Sequence, residues 1–75
     1  MALDEKTLDK IGNASKRQLF EDLATGVWFL ENTAHLRCKA NEQMYVQAEE
    51  IVVEVRNHLI GSYGMKDAEL PNYSG

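Results

Sequence analysis

His35 and Cys38 stand three residues apart near the middle of the chain, a spacing that on a helix turns both side chains toward one metal ion. Structural zinc normally takes four protein ligands, and the only other histidine is His58, with no second cysteine to complete the set. Cys38 as a nucleophile needs a base that a third group orients, and His35 is the base in reach. The same thiol falls in an apolar ladder, where it serves as a small core side chain. Glu49, Glu50 and Glu54 invite general acid and base chemistry. They lie on or beside the polar face of a helix, however, where a run of charge serves solvation. The chain holds no Gly-rich phosphate loop, no Ser-His-Asp set and no His-Glu metal motif. The expectation is a protein that is not an enzyme and takes no metal and no cofactor.

Lys10, Lys16 and Arg17 form a basic patch that Arg37 and Lys39 could join. Two short helices around Gly12 and Asn13 would mimic a helix-turn-helix, but the second would offer the bases a side rich in Leu and Phe. The net charge of −4 is unevenly placed: residues 1–40 carry six basic and six acidic side chains, whereas Arg56 and Lys66 face six acids in residues 41–75. An acidic half disfavours a phosphate backbone. A dimeric DNA-binding regulator using Lys10, Lys16 and Arg17 therefore stands as the alternative reading, and nucleic acid is not the expected partner.

Positioning these residues falls to one ladder of helical spacing: Phe20, Leu23, Val27, Leu30, Ala34, Cys38, Asn41, Tyr45, Ala48, Val52, Val55 and Leu59. Its steps alternate three and four except at one place, the pattern of a helix seam packed on another helix. Before it, Leu3 to Ile11 predicts a short helix with Leu8 and Ile11 on one side and a stop at Gly12 and Asn13. Ser15 and Gln18 fit a capping box, with Asn13 a competing cap, and a second helix follows from about Lys16. Leu19, Phe20, Leu23, Val27 and Leu30 form its buried side, and Gly26 within it marks a close approach of helices. The irregular step at Leu30, Ala34 and Cys38 is either a stutter in one long helix or the turn of a hairpin. Asn32, Thr33 and Asn41 are weak helix formers or caps there, and no Gly or Pro fixes the place. Alternation through 34–40 also suits a strand, which the longer helical period outweighs. From Asn41 or earlier to Ile60 runs an amphipathic helix that Met44, Ile51 and His58 widen on one side. Gly61 ends it, and residues 65–75 read as an extended or flexible tail around Pro71.

A chain of 75 residues buries a comparatively small share of its surface, and a lone cysteine allows no intrachain disulfide, so a second copy is the expected staple. With 44% hydrophobic and 27% charged residues the composition is that of a folded, soluble protein. No apolar run reaches membrane-span length and the first ten residues are charged, so a cytoplasmic location is expected. Phe20, Leu23, Val27, Asn41, Tyr45, Val52, Val55 and Leu59 are the candidate dimer seam. Asn41 is either a buried register-setting residue or an N-cap. Off the seam, Trp28 and Phe29, then Leu36 seven residues on, and the heptad Val46, Val53 and Ile60 exceed what one hairpin covers. Trp28, Phe29, Leu36, Val53 and the acidic Glu49 are therefore candidate partner contacts. The fold class is all-α: a short N-terminal helix plus a long helical hairpin in one domain, 1–64, dimerising into a helical bundle. The expected role is a small helical interaction module, a regulator or inhibitor that binds a partner protein. A structural subunit of a larger assembly is a further alternative.

Overall fold

The computed structural model describes residues 3–73 and is all-helical, with no strand among them. Three helices carry the fold: α1 (Glu5–Asn13), α2 (Lys16–Thr33) and α3 (Glu42–Tyr63). Each start has a sequence cause. Asp4 caps α1 by accepting from the Thr7 amide at 2.8 Å, and Ser15 caps α2 by accepting from the Gln18 amide at 3.1 Å. The capping box is only half made, because the Gln18 amide group donates forward to Asp22 at 2.9 Å instead of reaching back.

The hairpin reading is the one the chain adopts. The helix stops at Thr33, and residues 34–41 turn through two 3-10 turns, Ala34–Leu36 and Lys39–Asn41. Side chains replace the glycine or proline that usually marks a turn. Asn32 and Thr33 donate back to the carbonyls of Trp28 and Phe29 at 2.9 and 2.6 Å, and the free Thr33 carbonyl at the end of α2 accepts from the Tyr45 hydroxyl at 2.8 Å. Asn41 accepts from the Cys38 amide at 2.8 Å and donates to the Leu36 carbonyl at 3.0 Å. Asn41 thus sits at the helix boundary and ties the turn together; its position in the ladder is a coincidence of spacing, as are those of the exposed Ala34 and Cys38.

The core lies between α2 and α3. Leu19, Leu23, Val27 and Leu30 face Tyr45, Val52, Val55 and Leu59, all buried. Phe20 is not in this stripe: the buried row of α2 begins one residue earlier, at Leu19, and a step of one residue turns a side chain by about 100°. Phe20 lies on the flank with Lys16, Arg17, Glu21 and Met65, 37% exposed. Gly26 does mark a close approach, since a Cβ there would come within 2.8 Å of Cγ2 of Val52.

The end of α3 differs from the spacing-based reading in two ways. The helix runs through Gly61 to Tyr63, and Gly64 at φ 68° closes it. The amides of Gly64 and Met65 donate to the carbonyls of Ile60 and Leu59, a left-handed cap that suits glycine. The segment 65–73 then lies against the body: Leu70 enters the core and Met65 and Tyr73 pack against it. Residues 1, 2, 74 and 75 of the expected domain and tail lie outside the described residues. The Cα atoms span 36 × 27 × 16 Å, about two helices deep at the thinnest.

Candidate functional site

Four features compete for a role. The first is a side-chain stack that closes the hairpin. The buried ring of Tyr45 lies against Phe29, ring centres 5.1 Å apart, and the Arg37 guanidinium sits 5.6 Å from its centre. Its hydroxyl donates to the Thr33 carbonyl at 2.8 Å. Arg37 in turn donates twice to Glu42, at 2.8 and 2.7 Å, and once to Glu49 at 3.3 Å. These hydrogen bonds hold the Glu42 carboxyl below the ordinary glutamate range and push the Arg37 pKa further up. Phe29 and Glu49, expected as partner contacts, are therefore engaged inside the chain.

A groove between α1 and α2 is the second feature. It measures about 1080 Å³, with Ile51 and Val55 of α3 along its floor. Lys6, Asp9, Lys10 and Ile11 form one wall, and Gln18, Asp22, Thr25, Gly26 and Phe29 form the other. It exists because α1 leans on α3 and leaves the facing side of α2 open. Nothing in α1 is fully buried.

Exposed apolar side chains are the third. Trp28 is 61% exposed, Leu36 57% and Val53 54%. Leu36 does not continue the side of Phe29, because the helix that would relate them ends at Thr33. The expected contacts are thus divided, with Trp28 on α2, Leu36 in the turn and Val53 on α3. Of the expected seam, Leu23, Val27, Tyr45, Val52, Val55 and Leu59 are buried inside one chain.

The fourth is the strap of residues 65–73. Arg56, its side chain only 14% exposed, donates to the Asp67 carboxylate at 2.9 and 2.6 Å. The same guanidinium donates to the carbonyls of Asp67 and Pro71 at 3.1 and 2.6 Å. Sequence reasoning missed Arg56 as an organiser. The available signal was a lone arginine in an acidic half, three residues on from Val53 on the same helix flank.

The remaining chemical candidates are dispersed. Lys10 borders the α1–α2 groove, whereas Lys16 and Arg17 border a smaller hollow beside Phe20, and Arg17 pairs with Glu21 at 3.4 Å. His35 and Cys38 are both exposed in the turn. Among the described residues no three of His, Cys, Asp and Glu gather as a metal set. The Ser62 hydroxyl lies 3.3 Å from Nδ1 of His58, an i,i+4 neighbour pair of the kind helix surfaces make, and His58 meets Tyr63 edge-on at 5.9 Å. No described helix is long and apolar enough to cross a membrane. No protein-family model, curated protein or solved structure matches the chain.

Proposed function

We propose that this chain is a non-enzymatic interaction module, a regulator or inhibitor that acts by binding another protein. The observation that carries the reading is the α1–α2 groove: two helical walls over an apolar floor of Ile51 and Val55. An amphipathic helix laid there completes a four-helix arrangement and buries its apolar face. The rim selects its polarity. Lys6 and Lys10 outnumber Asp9 on the α1 wall and Asp22 stands on the α2 wall, so the matching helix carries acids along one edge and a base along the other. Trp28, exposed on α2, supplies an aromatic contact of the type enriched at binding hot spots. Self-association belongs to the same reading but needs a surface other than the buried ladder residues Leu23, Val27, Leu30, Tyr45, Val52, Val55 and Leu59, which pack within one chain.

Titration with amphipathic helical peptides of both edge polarities, followed by amide chemical shifts, tests the groove. The expected result is a perturbation centred on Thr25, Gly26 and Ile51 that disappears in Thr25→Arg, where a long side chain fills an exposed groove position without touching the core. A panel that leaves these amides unmoved, or moves them equally in Thr25→Arg, overturns the reading. A gel shift with duplex DNA that weakens steeply with salt would favour the DNA-binding alternative instead.

A further inference from the structure

We propose that the strap of residues 65–73 is exchangeable, and that a second copy of this chain docks by placing its strap against the first copy's Arg56 and core. The proposal rests on the self-association part of the reading above and uses no contact in the α1–α2 groove. Three observations carry it.

The strap holds its own shape. The Lys66 amide donates to the Glu69 carboxylate at 2.8 Å, and the Glu69 and Leu70 amides donate back to the carbonyls of Lys66 and Asp67. Its seat on the body has two parts, an apolar one for Leu70 and a polar one in which Arg56 grips Asp67 and the Pro71 carbonyl. The link between strap and body is Gly64, the one described residue in the left-handed region. If Gly64 returns to helical angles, α3 continues straight and carries the strap off its seat, leaving the Arg56 donors and the place of Leu70 open. Two copies in that state each offer what the other lacks, and the reciprocal contact closes as a two-fold dimer. The contacts regained are those lost, so concentration and the conformation of residue 64 decide between the two forms.

Sedimentation across a concentration series is the test. Gly64→Ala penalises the left-handed cap but not a straight α3, and should shift the monomer–dimer midpoint about tenfold or more toward lower concentration. In that background Arg56→Ala and Leu70→Ala should each abolish the dimer. Mixing those two double variants should restore a heterodimer, because one chain keeps a sound seat and the other a sound strap.

A Gly64→Ala protein that keeps its helix content and stays monomeric overturns the proposal. So does a dimer indifferent to Arg56→Ala and Leu70→Ala, although self-association through another face would then survive. Should Gly64→Ala fail to fold, mixed isotope labelling of the unaltered chain decides. Magnetisation transfer from Leu70 methyls of one copy to methyls of the buried α2–α3 core of another supports exchange. A dimer without such transfer, or a chain monomeric at every concentration, excludes it.

Discussion

At the scale of single residues, the tightest constraint is at Gly26. An alanine there should raise helix propensity by about 1 kcal/mol, but its Cβ would meet Val52 at 2.8 Å, and overpacking of a core contact costs about 1–3 kcal/mol. Gly26→Ala should therefore lower stability in urea unfolding, and the Val52→Ala background should erase much of that loss, giving a non-additive cycle. Additive effects would mean that the helices simply move apart. The Arg37–Glu42 pair sets an acid response. Glu42 titrates below its ordinary value because it accepts from Arg37, so its contribution is present above about pH 4.5, the model-compound value, and fades as pH falls through the lower folded value. The melting-temperature difference between the natural chain and Glu42→Gln should accordingly shrink on acidification below that range. A difference that grows would reverse the assigned direction. Gly26 was legible in the sequence because a glycine inside a strong apolar period has few other reasons to be there. Leu19 against Phe20 was not, because both fit a helical step to Leu23 and only packing against α3 selects one. Arg37 and Arg56 escaped because a long cation in a sequence does not announce which carbonyl or carboxylate it will reach.

The elements were more legible than the joints between them. Ser15 caps α2 as its type and position suggest, and Ser15→Ala should cost about 1 kcal/mol in chemical denaturation, with little change in the denaturant slope. A null effect would mean that water satisfies the Gln18 amide as well as the hydroxyl does. The hairpin turn was ambiguous because its chemistry is distributed. Asn41 works backwards onto Leu36 and Cys38, and Thr33 works backwards onto Phe29, whereas a cap reading looks forward from each. The end of α3 was misplaced by three residues because Gly61 tolerates helical angles and only Gly64 adopts the left-handed one. The segment after it looked loose because small and polar residues surround Leu70 and Tyr73. A single buried leucine and one arginine clamp place it against the body, and no periodic pattern marks either.

For the whole molecule, the buried part of the ladder that looked like a seam between two chains is the seam within one. Its all-helical class was readable from the period, whereas its partner was not, because a period says that a face is covered without saying by what. The free chain should report its exposed tryptophan directly. Trp28, 61% exposed and the only tryptophan, should emit as a solvated indole and be quenched readily by iodide, and an occupant reaching Trp28 should shift the emission to shorter wavelength and protect it. Blue-shifted, protected emission at low concentration would instead place Trp28 inside an interface already formed.

One wall of the groove is much less firmly held than the other. Helix α1 buries no residue of its own fully; its partly buried Ile11 and the Ala14 after it pack against the core, Leu3 before it is buried, and the Tyr63 hydroxyl donates to the Ala14 carbonyl at 3.0 Å. Native-state hydrogen exchange should therefore find α1 amides opening well before those of α2 and α3, at a fraction of the global unfolding free energy. On the proposed groove-binding reading, a jaw that breathes in this way would admit guests of different girth. Each guest would draw from the share of molecules already at its width, and its apparent affinity would fall by that fraction. Selectivity would then be set less by the shape of the cleft than by how stiffly nine residues are pinned, and changes at Leu3 or Tyr63 would retune which guests are held without touching any of them.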